Sequence, residues 1–169
     1  MVDQTNINFA LYEDDNEYLG IAEVTLPDVN YLTQQISGAG IAGNIDAVIP
    51  HVEAMTLGIN FRTTTAQAVS LTEPRKHEIT LRVAVQNENR ISNELEVGKV
   101  KHVFDVIPKS LKAGKIAPAS PGDASGEYTV RYWKYTIDGE TVLEIDPLRF
   151  KFEVNGVDYL KPVKDALGK

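Results

Sequence analysis

Apolar and polar positions alternate with a period of two along much of the chain, which is the side-chain repeat of a strand with one buried face. Over residues 53–61, Met55, Leu57, Ile59 and Phe61 share one face and Ala54, Thr56, Gly58 and Asn60 the other. Over residues 76–88, Ile79, Leu81, Val83 and Val85 oppose Glu78, Thr80, Arg82, Ala84 and Gln86. Residues 6–12 and 18–26 are runs of β-formers around the acidic turn 13–17, which predicts a hairpin ended by Pro27. Residues 99–107 give a further strand. Residues 30–37 read as extended but polar, with Tyr31, Thr33, Gln35 and Ser37 alternating with Leu32, Gln34 and Ile36. The helix candidate is residues 64–71, about two turns with a Thr at the N-cap and Pro74 beyond. A further helical turn or two is expected after Pro162.

The most ordered stretch of the pattern is residues 128–159. It reads as two long strands folded back at Asp138 and Gly139, with a second turn at Asn155 and Gly156. Asp-Gly and Asn-Gly supply the positive φ angles of tight hairpin turns. The chain's one tryptophan, Trp133, lies here, placed with Tyr135 on one face, with Tyr128 and Tyr132 on the other. One set is expected in the core and the other at an interface. On the return strand Leu143 and Ile145 are odd-numbered, whereas Leu148, Phe150 and Phe152 are even-numbered. A strand changes faces only through an extra residue or a bend, so a bulge or a change of sheet is expected at Asp146 and Pro147.

Two stretches break the pattern. Residues 38–50 hold three glycines within six positions and read as a loop of about a dozen residues. That loop exposes Ile41, Ile45, Val48 and Ile49, and apolar residues on a mobile loop want a partner surface. Residues 108–127 are rich in Pro, Gly, Ser and Ala and read as a long mobile loop. The total is seven or eight strands, one short helix and no strand–helix–strand rhythm. It predicts a mainly β, antiparallel sandwich or barrel, as one domain over residues 1–169.

At 169 residues and 43% hydrophobic the chain can build one substantial core. It has no cysteine, hence no disulfide and no thiolate metal site. No apolar run reaches the length of a membrane helix, so no membrane anchor is expected, and the first twenty residues lack a signal-peptide pattern. Charge is uneven: residues 1–61 carry nine acids (Asp3, Glu13, Asp14, Asp15, Glu17, Glu23, Asp28, Asp46 and Glu53) and no Lys or Arg. Phosphate binding needs the opposite sign. The block is either a solvated acidic face or a surface that repels polyanions or meets a basic neighbour.

No chemistry-bearing constellation emerges. Gly38, Gly40 and Gly43 formally match G-x-G-x-x-G, but the preceding strand is polar and the following residues are broken by Pro50. A dinucleotide site needs an apolar parallel strand before that motif and a helix after it. His51, His77 and His102 stand alone and read as ordinary surface or half-buried residues. The 13–17 turn lacks calcium-loop spacing. Glu144 and Asp146 share a strand face, a geometry open to a glycosidase but more simply that of an amphipathic strand. The expectation is no catalytic residue, no cofactor and no metal.

Three segments carry a family resemblance: residues 26–46, residues 53–61 and, most specifically, residues 132–160. In the last, an aromatic-rich strand enters the Asp138–Gly139 turn, then comes Glu144-Ile145-Asp146, then Val154-Asn155-Gly156-Val157-Asp158. In order and spacing these resemble the major tail tube protein of contractile-tailed phages and of phage tail-like bacteriocins. Residues 88–127 depart from the family pattern.

The resemblance implies a β-sandwich-like domain with a short flanking helix. Its hexameric rings stack into a hollow tube, and its strands join a ring-wide β-barrel. It implies a structural subunit whose partners are further copies of itself, the tail sheath, and the ruler, baseplate and terminator proteins, with DNA only as passing, non-specific cargo. It places the protein in a virion tail or bacteriocin particle assembled in the host cytoplasm. On this reading Gly38, Gly40, Ile41, Gly43, Asn44, Ile45 and Asp46 form a ring-stacking loop, and Thr33, Gln35, Ser37, Thr56 and Asn60 are candidates to face the lumen. An acidic block facing the lumen would let DNA slide without sticking. The competing readings are a type VI secretion-like tube protein and an unrelated monomeric β-barrel that binds a small ligand.

Overall fold

A computed structural model describes residues 4–14, 17–20 and 22–169, without the side chains of Glu17, Tyr18 and Ala22. The chain begins with β1 (Gln4–Glu13), β2 (Glu17–Tyr18), β3 (Ala22–Thr25), β4 (Tyr31–Ile36), β5 (Ile45–Val52) and β6 (Met55–Phe61). Helix α1 (Ala66–Ser70) leads into the long strands β7 (His77–Glu88), β8 (Leu95–Lys112) and β9 (Ala124–Ile137). Strand β10 (Glu140–Asp146), a 3-10 turn (Pro147–Arg149), β11 (Lys151–Val154), β12 (Val157–Asp158) and α2 (Lys161–Ala166) complete it. The fold is mainly β and antiparallel, with short helices at its flanks.

One large sheet runs in the order β12-β11-β10-β9-β8-β7-β1-β2. Strand β9 is its pivot. Its second half pairs with β10, whereas its first half pairs with β6, which in turn pairs with β3. Strand β8 follows β9 along both halves. The inner faces close over one core that includes Leu57, Ile59, Ile79, Phe104, Tyr128 and Ile145, all essentially inaccessible. Strands β4 and β5 stand apart as a two-stranded hairpin.

The alternation in residues 53–61 and 76–88 places Met55, Leu57, Ile59, Phe61, Ile79, Leu81 and Val85 inside, with Val83 half-buried. Helix α1 is capped as its sequence predicts: Thr65 Oγ1 accepts from the Ala68 N–H at 3.1 Å and donates to the Leu19 carbonyl at 3.3 Å. The Asp138–Gly139 and Asn155–Gly156 turns have positive φ at all four residues, as two-residue hairpin turns require.

Four expectations are corrected. Residues 18–26 are not one strand: β2 pairs with β1 and β3 with β6, separated by Leu19 and Gly20. Asp15, Asn16 and Ile21 lie outside the described residues. The phase change at Asp146 and Pro147 is neither bulge nor sheet change. The chain reverses there through the 3-10 turn and a left-handed Phe150 (φ 53°), so β11 pairs back on β10. The loop at 108–127 shrinks to residues 113–123, because β8 runs to Lys112 and β9 starts at Ala124. Tyr128 does not share a face with Tyr132. An extra residue, Arg131, sits between the pairs Asp105–Tyr132 and Val106–Val130, and that bulge turns Tyr128 inward with Trp133.

Candidate assembly surfaces

The β4–β5 hairpin is the element least occupied by its own chain. All six residues of β4 are exposed, and six of the eight in β5. Its root is closed by the Glu53 N–H donating to the Asn30 carbonyl at 2.8 Å, and by Tyr31 meeting the Phe152 ring edge-on at 5.7 Å. Pro50, which cannot donate to a ladder, sits where the register slips between the Tyr31–Val52 and Thr33–Val48 pairs. Opposed residues share a face, so Thr33, Gln35, Asp46 and Val48 lie on one side and Gln34, Ile36, Ile45 and Ala47 on the other. Leu32, Ile36 and Ile45 are all exposed, making the second face the more apolar one.

Of the seven predicted stacking residues, Gly38, Gly40, Ile41, Gly43 and Asn44 lie in the eight-residue loop 37–44. Ile45 and Asp46 instead open β5, as do Val48 and Ile49, so the loop is shorter than the sequence suggests. Gly38 and Gly40 have φ of +145° and +97°, which side chains disfavour, and nothing lies within 4 Å of where a Cβ would stand at Gly38, Gly40 or Gly43. The loop thus has open space on the side a Cβ would take at these glycines.

The predicted lumen residues fall in two places. Thr33 and Gln35 are on the hairpin and Ser37 is in its loop. Thr56 and Asn60 are on the outward face of β6, beside Thr25 of β3 and opposite Thr129 and Ser125 of β9. That face continues onto β8 with Ser110 and Lys112. Lys109 reaches over it and donates to Thr56 Oγ1 at 3.3 Å, and Arg62 pairs with Glu23 at its rim. The four-stranded patch β3-β6-β9-β8 is thus apolar inside, small and polar outside. The acidic block does not gather on it. Glu13 is 2% exposed in the core, Glu23 lies at the rim, Asp46 and Glu53 belong to the hairpin, and Asp3 and the side chains of Asp15 and Glu17 lie outside the described residues.

A third surface was missed by the sequence reading. Tyr31, Val48, Pro50 and Val52 on the hairpin side and Phe152, Val154, Tyr159 and Leu160 on the β11–β12 side enclose an apolar cleft of about 320 Å³. Asp158 builds its second wall, its Oδ1 accepting from the Phe152 N–H at 3.2 Å and the Leu160 N–H at 3.0 Å. The only sequence signal was the run of apolar residues after the Asp146–Pro147 phase change.

The titratable groups in the body are structural. Two of the three histidines are fully buried, rather than surface or half-buried. His77 Nδ1 lies 2.6 Å from Glu13 Oε1 and its Nε2 lies 2.9 Å from the Glu73 carbonyl, so each ring nitrogen faces an oxygen. His102 accepts from the Trp133 indole N–H at 3.2 Å and stacks on Tyr135 at 4.2 Å, and burial pushes its pKa down to about 4. Tyr132 donates to Glu144 at 2.9 Å, and burial together with that carboxylate raises its pKa. Lys151 and Arg149 neutralise Glu144 and Asp146. Among the described residues, no cluster of His, Asp and Glu could hold a metal ion.

A profile of the phage tail tube protein FII family matches residues 3–168. This chain belongs to that family. It is a structural tail tube protein, not an enzyme. No curated protein sequence matches the chain. Among solved structures, the sheath/tube terminator of an extracellular contractile injection system (PVC), in its extended state, shares the fold. Its TM-score is 0.54 at 11% identity, over 77% of this chain and 94% of that one. A chain of the PVC sheath–tube complex in the extended state gives 0.47 at 15% identity, over 77% and 87%. In this tail tube protein, the surfaces that its own fold leaves uncovered are the ones open to assembly.

Proposed function

We propose that the chain, as one tail-tube-type domain, is the subunit of the inner tube of a contractile tail or tail-like particle, with hexameric rings stacked into a hollow tube. The observation that carries this reading is the β4–β5 hairpin. A protein that ends as a monomer has no use for a two-stranded arm with Leu32, Ile36, Ile41 and Ile45 in water. Tip and receiving surface differ, so the contact is heterologous, and a heterologous contact that does not close on itself builds a filament.

Within the ring, the polar outward face of β3-β6-β9-β8 suits the lumen, with Thr56 and Asn60 among its side chains. Its small neutral groups are interspersed with charges of both signs, Lys109 and Lys112 beside Glu23 and Glu127, so it presents no single-sign field to passing DNA. Among the described residues β1 is paired on one side by β7, and on the other at Tyr12 and Glu13 and through the Leu11 carbonyl, which accepts from the Leu19 N–H, so residues 4–10 offer a free edge. Pairing such edges between subunits closes a ring-wide barrel and removes an aggregation hazard. Sheath, terminator, ruler and baseplate proteins are the proposed partners, and a particle assembled in the host cytoplasm is the proposed setting. Negative-stain imaging of the purified protein tests the reading: rings or tubes with a central hole are expected, and compact monomers at every concentration would overturn it.

A further inference from the structure

The interior of the subunit is not filled at one end. The short β3, four residues long, lies against strands β1, β7 and β8 of ten, twelve and eighteen residues. That mismatch leaves a cavity of about 230 Å³ between the layers. Leu81, Val85 and Val100 line it from the large sheet and are buried, with Val24 of β3 and Leu26 on the facing side. Gln4 and Asn6, both exposed, stand at its mouth. None of the residues around it is an Asp, Glu, Lys or Arg.

One lining residue brings a directed polar group. His102 is 3% exposed and accepts the Trp133 indole N–H at Nδ1. The proton of the neutral ring therefore sits on Nε2. Phe104 and Tyr135 stack on the ring, so the Nε2 edge is the part left to line the cavity. Among the described residues that N–H has no hydrogen-bond partner. A buried donor without an acceptor is costly and calls for one from outside the chain. Burial pushes the pKa of His102 down to about 4, so the ring offers a neutral donor near pH 7 and no charge for an anion. The size suits more than water: an apolar cavity of about 150 Å³ stays dry and takes up benzene.

We propose that this cavity is a binding site for a small uncharged molecule, apolar over most of its surface and carrying one carbonyl or ether oxygen that accepts the His102 Nε2–H. Apolar walls supply affinity and the single donor fixes orientation, the division of labour usual in small-molecule sites. The site belongs to the single subunit and stands whether or not rings stack.

Cyclohexanone is a suitable probe, with methylenecyclohexane as the same ring without an acceptor. Titrating the purified protein with cyclohexanone is expected to give saturable NMR shifts at the His102 Nε2–H and at the methyls of Val24, Val85 and Val100, and to raise Tm by mass action. Methylenecyclohexane is expected to bind roughly fivefold more weakly. Equal affinity for the two would overturn the role of the donor, and the absence of saturable shifts at these groups would overturn the site. Two variants check the location. Leu26→Trp changes a residue 41% exposed at the cavity and should block it, and Val24→Phe fills it from a half-buried wall. Loss of cyclohexanone binding in whichever of them folds like the parent supports the site, and full affinity there overturns it.

Discussion

His102 is the residue whose surroundings most change its chemistry. Phe104, Trp133 and Tyr135 surround its ring, and the indole N–H occupies its Nδ1 lone pair. Protonation would destroy that bond and place a charge in the core. The folded chain therefore holds the imidazole neutral down to about pH 4, whereas the unfolded chain takes up the proton near 6.5. Between those values the unfolded state binds more protons, so stability is lost as pH falls through this window, by up to about 3 kcal/mol. His102→Asn keeps an acceptor for the indole and cannot titrate there. Urea unfolding of this variant between pH 7 and pH 4 is expected to lack most of that acid-dependent loss. Glu13 and His77 behave differently, since each satisfies the other inside the core at 2.6 Å. Removing Glu13 leaves the buried His77 Nδ1 without its partner, while Nε2 keeps the Glu73 carbonyl, so Glu13→Leu should cost on the order of 1–3 kcal/mol in urea unfolding, and adding His77→Leu should recover part of it.

At the scale of elements, β9 shows why two glycines in adjacent strands differ. Gly126 faces inward, and a Cβ there would stand 2.5 Å from Tyr128 Oη and 2.8 Å from its ring. The buried Tyr128 ring lies back over the bare backbone of Gly126. Gly58, on the outward face of β6, leaves an ordinary 3.4 Å to the Thr25 Cβ. Gly126→Ala is expected to lower stability by roughly 1–3 kcal/mol, and Gly58→Ala to change it far less, by urea or thermal unfolding. Sequence patterning reached β6 and β7 because Met55–Phe61 and Ile79–Val85 alternate without interruption. It failed in β9 because Arg131 is an ordinary strand residue with nothing in its type to mark a bulge, and only the switch from even (Tyr128, Val130) to odd (Trp133, Tyr135) inward positions betrays it. It failed at 108–127 because Pro108 and Ser110 suggest a loop, whereas a bulge at Lys109 lets them stay in β8.

For the whole molecule, the exposed glycine-rich loop at the hairpin tip was legible because glycines and isoleucines in one segment are a local signal. The cleft was not, since its walls join Tyr31 and Val52 to Phe152 and Tyr159 across more than a hundred residues, a juxtaposition that only the closed sheet creates. The same separation makes the arm removable. Ile36 and Ile45 are a cross-strand pair, so replacing residues 37–44 with Asn-Gly joins them by a two-residue turn without changing the β4–β5 register. No residue of that loop belongs to the core. The shortened protein should therefore unfold at nearly the same urea concentration as the parent, and by circular dichroism its strand content should be preserved. The arm, however, now ends several residues short of any neighbour. Under the proposed assembly such a protein keeps its lateral edges and loses its axial contact, so imaging should show rings or monomers in place of tubes. Mixed with parent protein it should cap growing tubes, because it keeps the rest of its surface for a neighbour's tip while it offers no tip itself, and mean tube length should fall as its fraction rises. Full-length tubes from the shortened protein alone would show that the hairpin tip does not hold the rings together.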